Sequence, residues 1–210
     1  MRACLLWVIA LSWLVGCGDS GVASDTSYNV ALDARYPAAE RVIAIGDIHG
    51  DIAAMRKALM LADVIDSHDR WIGGKTVVVQ TGDLLDRADD EQEIIDVLLS
   101  LQPQAAAAGG ALHLLNGNHE LMNVALDFDY VTDGGFADFE DAPGADPADP
   151  EVADFEPHQR ARASVLRPGG SYARLLADFP VVLIVGDTAF AHGGVLPSYA
   201  EEANEVNRDV

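Results

Sequence analysis

Cysteine is all but missing from this sequence: Cys4 and Cys17 are the only two, and both fall within the first seventeen residues. A disulfide framework is therefore excluded for the rest of the chain, and a domain there must be held by its apolar core, with bound metal as the other available support. Cationic side chains are also scarce, with 13 Lys and Arg against 34 Asp and Glu and a formal net charge of −21. Nucleic acid and anionic lipid both need a cationic footprint, so neither is expected as a broad-surface partner. A long uncharged apolar run occurs once, from Leu5 to Val15, and it is too short for a membrane-spanning helix.

That run has a charged lead in Arg2 and small residues after it, the pattern of a secretory signal. Its end, Leu14-Val15-Gly16-Cys17, resembles the bacterial lipobox, which implies that residues 1–17 are removed or processed and that Cys17 carries lipid. The expected location is the bacterial cell envelope, with membrane contact through the N-terminal lipid alone. Residues 18–34 contain Gly, Ser and Asp in a stretch suited to a flexible tether. Residues 35–210 are expected to form one domain, since a chain of 210 residues with 50% apolar composition supports one substantial core.

Within that domain, apolar strands alternate with helices. Strands are expected at Arg41–Ile45, Thr76–Thr81 and Ala111–Leu115, and helices at Ile52–Ala62 and at Asp89–Leu101, the latter stopped by Pro103. The alternation indicates an α/β fold built of βαβ units on a largely parallel sheet, with functional loops at its carboxyl edge. Residues 127–156 break the pattern with eleven carboxylates, three prolines and no Lys or Arg, and read either as a solvated excursion or as a lid near the site. Arg160–Ala177 returns to helical composition, and Val181–Val185 and Thr188–Ala191 flank a Gly186-Asp187 hairpin turn. His113 alternates with strand residues and reads as structural, His68 and His158 as solvated, and Trp71 as a packing residue.

Four short segments follow the apolar runs: Gly46-Asp47-Ile48-His49-Gly50, Gly82-Asp83-Leu84-Leu85-Asp86-Arg87, Gly117-Asn118-His119-Glu120 and His192-Gly193-Gly194. Alone, the first is an ordinary turn, the third an N-cap opening a helix at Leu121, and Asp86-Arg87 a surface ion pair. Together, all at strand ends, they supply carboxylate oxygens and imidazole nitrogens for two divalent cations of the Mn, Fe or Zn type. Asp47 and His49 face one ion, Asp83 is placed to be shared, and Asn118 and His192 serve the second. Two ions about 3.5–4 Å apart activate a hydroxide and stabilise both entering and leaving oxygens at phosphorus. His119 is then the expected general acid, Asp86 its orienting carboxylate and Arg87 the phosphate clamp. The acidic surface is compatible with such an anionic substrate, because the ions dominate the local field.

This ordered set resembles the calcineurin-like metallophosphoesterases, within them the phosphoprotein phosphatase superfamily, and most closely its Shewanella-like branch. The resemblance runs from about Arg41 to Pro197. It implies that Asp47, His49, Asp83, Asn118 and His192 bind metal, that Arg87 and Asn118 contact the substrate phosphate, and that Asp86, Arg87 and His119 serve catalysis. It also implies a four-layer α/β/β/α sandwich, of which this chain is expected to be the first two-thirds with C-terminal strands missing. Two departures stand out. Ala88 occupies the place of a glycine that usually follows the Asp-Arg pair, and the family's further metal-binding histidine and second arginine lie beyond His-Gly-Gly, where only Val195–Val210 remain, with Arg208 and no histidine. The expected function is phosphomonoester hydrolysis, on phosphoserine, phosphothreonine or phosphotyrosine in proteins or on small esters such as dinucleoside polyphosphates, with low activity in the chain as written. The rival class is an inactive lipoprotein binding module on a phosphoesterase shell.

Overall fold

Three short parallel strands, β2 (Val42–Ile45), β3 (Val77–Gln80) and β4 (Ala111–Leu114), organise the computed structural model, which describes residues 33–210. The signal segment, Cys17 and nearly all of the tether lie outside the described residues. The strands pair in the order β2-β3-β4 with Ile45 opposite Gln80 and Gln80 opposite Leu114. All three therefore end level, and the loops that follow them leave from one edge. Helices α1 (Ile52–Leu61) and α2 (Glu91–Ala107) make the parallel crossovers. Asp51 caps α1, its carboxylate accepting from the Ala54 amide at 2.8 Å.

A second sheet contains β1 (Arg35–Tyr36), β5 (Val182–Val185) and β6 (Thr188–Ala191), with β1 parallel and β6 antiparallel to β5. The period-two alternation of strand side chains assigns the layers. Val78 points into a large core with Met55, Leu59, Ile94, Ile95 and Leu98 of α1 and α2, whereas Val77 and Val79 pack with Leu183, Val185 and Phe190 of the second sheet. Val182 and Ile184 face outward onto Ala203 and Val206 of α8 (Ala203–Asp209), which follows α7 (Pro197–Glu201). Helix, sheet, sheet, helix is thus the stacking order, the mixed α/β arrangement expected from the sequence. Ala34, assigned to the tether above, is fully buried and donates its amide to Asn204 Oδ1 at 2.8 Å, so the packed domain includes it.

Two expectations need correction, and a third, the helical Arg160–Ala177 segment, gains detail. Helix α2 runs through Pro103 to Ala107 instead of stopping. An interior proline costs about 3 kcal/mol, but Leu101 and Ala105 are fully buried on the core and the alanine-rich tail favours helix, so packing and propensity outweigh the lost bond. The Arg160–Ala177 segment is two helices, α5 (Arg160–Leu166) and α6 (Ser171–Leu176), because Pro168 disfavours helix at Arg167 and Gly169 turns at φ +83°.

Residues 127–156 are not a solvated loop. Helix α3 (Asn118–Val124) precedes them, and they form α4 (Asp133–Asp138) and a 3-10 turn at Pro150–Val152. Phe139 and Val152 are fully buried, which anchors the segment while most of its carboxylates are exposed. Trp71 packs on the core, His68 and His158 are exposed, and His113 stacks on Tyr36 of β1 at 4.1 Å between ring centroids. Burial pushes the His113 imidazole below its ordinary value. Among the described residues, no helix is long and apolar enough to cross a membrane.

Candidate metal centre

The loop after β2 is tied to the loop after β3 by main-chain bonds. Ile48 and His49 donate their amides to Asp83 O at 2.9 and 3.0 Å, and Gly50 donates to Leu84 O at 2.9 Å. Gly50 sits at φ +71°, and a Cβ there would lie 2.7 Å from the Ala88 carbonyl carbon, so close approach and conformation both require glycine. The third loop closes on the second in the same way: a Cβ on Gly82, at φ +102°, would meet Gly117 N at 2.3 Å. Backbone strain concentrates here. Of seven non-glycine residues in the left-handed region among those described, four are His49, Asp83, Asp86 and Arg87. Ala88 is not among them, so the alanine in place of glycine carries no such strain.

These bonds gather the predicted donors around Asp83, which is 2% exposed. Its Oδ2 lies 3.6 Å from His49 Nε2, 3.1 Å from His192 Nε2 and 3.9 Å from His119 Nε2. Asp47, at the rim, completes the group at 3.8 Å from His49 Nε2 and 3.9 Å from His192 Nδ1. Two overlapping triads result, His49–Asp83–His119 and Asp47–Asp83–His192, and both contain Asp83.

The tautomers favour a cation. His49 Nδ1 is 2.9 Å from Leu85 O and His192 Nδ1 is 3.2 Å from Thr81 O. A carbonyl can only accept, so each Nδ1 carries the hydrogen, and in the neutral imidazole each Nε2 presents a lone pair to carboxylate oxygen. His49 Nε2 is buried without a hydrogen-bond partner. Lone pairs facing carboxylates repel one another unless positive charge lies between them; donors about 2.1 Å from a shared ion sit about 3–3.4 Å apart, a spacing met by His192 and Asp83 at 3.1 Å, while His49 lies slightly wider at 3.6 Å from Asp83. The donor set therefore fits divalent metal.

His119 is 2% exposed and lies on α3. Its Nδ1 is 2.6 Å from Asp86 Oδ2, and its Nε2 is 3.1 Å from Arg87 Nη2. Guanidinium only donates, so Nε2 accepts here and Nδ1–H donates to Asp86. Arg87 is exposed, hydrogen-bonds Tyr130 O through its amide at 3.1 Å, and holds its guanidinium 5.9 Å from the Tyr130 ring centroid. Asn118 is the remaining donor expected from the sequence. It is exposed at the start of α3, its amide nitrogen lies 3.9 Å from Met122 Sδ, and it shares with His192 the wall of a cavity of about 320 Å³.

Sequence reasoning missed what holds this arrangement. Glu120, fully buried, accepts from the amides of Asp83 (2.8 Å), Leu84 (2.7 Å), Leu85 (3.2 Å) and Gly117 (2.7 Å), and so joins two of the loops. Burial pushes its carboxyl up, opposed by these amides. Beneath Asp86 lie Asn123, Glu91 and Arg162, all fully buried. The Glu91 carboxyl is pushed up to about 7 by burial, against the pull of Arg162 at 2.7 Å. Glu120 was visible as the last letter of its motif, and a glutamate three residues into a helix is a capping signal. Asn123, Glu91 and Arg162 carried no local signal.

Known proteins share both the sequence and the fold. The sequence pattern of the calcineurin-like phosphoesterases matches residues 40–209. Shewanella-like protein phosphatase 2 of Arabidopsis thaliana is 40% identical over 88% of this chain and 54% of its own length. Shewanella-like protein phosphatase 1 of Plasmodium berghei (strain Anka) is 32% identical over 74% of this chain and 39% of its own length. The crystal structure of a cold-active protein-tyrosine phosphatase of a psychrophilic Shewanella species superimposes with a TM-score of 0.66 at 25% identity, over 84% of this chain and 50% of that one. The chain spans about half the length of these relatives. With its four motifs converging on Asp83 and a family match across most of its length, this chain belongs to the calcineurin-like phosphoesterase family.

Proposed function

We propose that the protein hydrolyses phosphomonoesters, with Asp47, His49, Asp83, Asn118 and His192 holding two divalent ions of the Mn, Fe or Zn type. The observation that carries this reading is the buried carboxylate of Asp83, set between His49 and His192 with Asp47 at the rim, and beside it the buried His119–Asp86 pair. When bound, such ions polarise the phosphoryl group and supply a nucleophile at neutral pH. The chain's own groups do the remaining work. Arg87, exposed beside Tyr130, leaves His119 Nε2 to hold phosphate oxygens with its planar donors. His119 Nε2, once protonated, delivers that proton to the departing ester oxygen, while Asp86 on the opposite nitrogen holds the ring in line and balances its charge.

The names of the relatives, a protein phosphatase and a protein-tyrosine phosphatase, favour phosphoprotein as the substrate class, with serine, threonine and tyrosine esters as the candidates. The leader of Arg2, Leu5–Val15 and Cys17 supports a lipid-anchored form at the bacterial envelope, membrane contact being limited to that lipid. A panel of phosphopeptides and nucleotides separates protein from small-ester hydrolysis. The test of the reaction itself is turnover of 4-nitrophenyl phosphate by the purified protein with added manganese. Activity that disappears in His119→Ala and Asp83→Asn supports the proposal. A protein that binds manganese and turns over nothing is a binding module, which overturns it.

A further inference from the structure

Arg162 of α5 is fully buried and is held on every side. Its Nε and Nη2 donate to Asn123 Oδ1 at 3.0 and 2.8 Å, and its Nη1 donates to Gly135 O at 3.0 Å. Nη2 also reaches Asp86 Oδ1 at 3.3 Å and Glu91 Oε2 at 2.7 Å. The guanidinium carbon lies 4.5 Å from the centroid of the Phe139 ring. A buried guanidinium carries a large desolvation cost, and nothing about filling this space requires a cation.

The hydrogen-bond directions say what the cation does. Arg162 can only donate, so it forces the oxygen of the Asn123 amide toward itself and the nitrogen away. That nitrogen then donates to Asp86 Oδ1 at 2.9 Å and to the His119 carbonyl at 2.9 Å. With Oδ1 taken by Asn123 and Arg162, Asp86 has Oδ2 left for His119 Nδ1, at 2.6 Å. Each partner in the sequence has one orientation open to it.

We propose that Arg162 is a positioning residue for the His119–Asp86 pair, acting through the amide of Asn123 and the carboxylate of Asp86. The acidic segment acquires a role by the same route, since the Gly135 carbonyl and the Phe139 ring that seat the guanidinium both belong to it. The inference rests on the reading of His119 as the proton donor, and its test needs no turnover.

That test is proton NMR of the full-length protein, with diamagnetic zinc added and again without it. The slowly exchanging His119 Nδ1–H resonance is identified by its loss in His119→Asn. In Arg162→Met the resonance is expected to vanish or to exchange with water at least tenfold faster, and in Arg162→Lys it is expected to be partly recovered. Glu91→Gln combined with Arg162→Met removes the buried charges together, so a fold that does not tolerate the single change has a matched alternative. Loss of the resonance in a variant whose circular dichroism and melting match the parent supports positioning. A resonance unchanged in the double variant overturns it, and so does failure of both variants to fold, which makes Arg162 a structural strut. Inactivity toward phosphoesters with the resonance lost as expected discards the catalytic reading and leaves the positioning intact.

Discussion

His119 Nδ1 lies 2.6 Å from Asp86 Oδ2, both groups are buried, and the other face of the imidazole opens toward Asp83 and Arg87. The pair fixes which nitrogen faces the substrate. Asp86→Asn keeps the volume but offers an amide that can present a donor to Nδ1, which favours the wrong tautomer. Steady-state kinetics on 4-nitrophenyl phosphate should show kcat reduced by about 10²–10⁴-fold with KM little changed. A loss confined to KM would assign Asp86 to binding.

Glu120 gathers four backbone amides from two loops into one carboxylate. Glu120→Ala leaves those buried donors without an acceptor, and each unsatisfied buried group costs about 1–3 kcal/mol. Chemical denaturation should show at least about 3 kcal/mol of lost stability, with weakened metal binding because Asp83 and Gly117 are no longer tied together. A variant of parental stability would show that the loops hold without it.

The Glu91 carboxyl titrates at about 7 in the folded protein, against an ordinary value of 4.5, chiefly because of burial. The folded state therefore keeps a proton that the unfolded chain has released between those two values. Stability from this group declines as pH rises through that window and is level above it. Glu91→Gln removes the titration, so the Tm of the variant minus that of the parent should become more positive from pH 4.5 to about 7 and then stay constant. A difference independent of pH would contradict the assignment.

The parts of this site that were legible in the sequence are those whose chemistry and strand-end position coincide. Asp47, His49, Asp83, His119 and His192 each follow a strand readable from the sequence; the level register of β2, β3 and β4 brings the loops of the first four together, and His192 arrives from β6 of the second sheet. The parallel sheet and the hairpin at Gly186 were readable for the same reason, because period and turn chemistry are local. What was not legible depends on distant packing. Arg162 meets Asp86 across 76 positions of sequence, and nothing near either residue marks the other. The charge of the acidic segment argues for a solvated loop, whereas its placement is set by the buried Phe136 and Phe139. Propensity makes Pro103 a stop, and the burial of Leu101 and Ala105 reverses it.

The central claim is that two cations share the Asp83 carboxylate. Elemental analysis of the purified protein after equilibration with manganese and removal of free metal measures this directly. Two equivalents per chain are predicted for the parent, and loss of both in Asp83→Asn at unchanged fold. One equivalent or none in the parent, or an Asp83→Asn variant that retains two, would contradict the account.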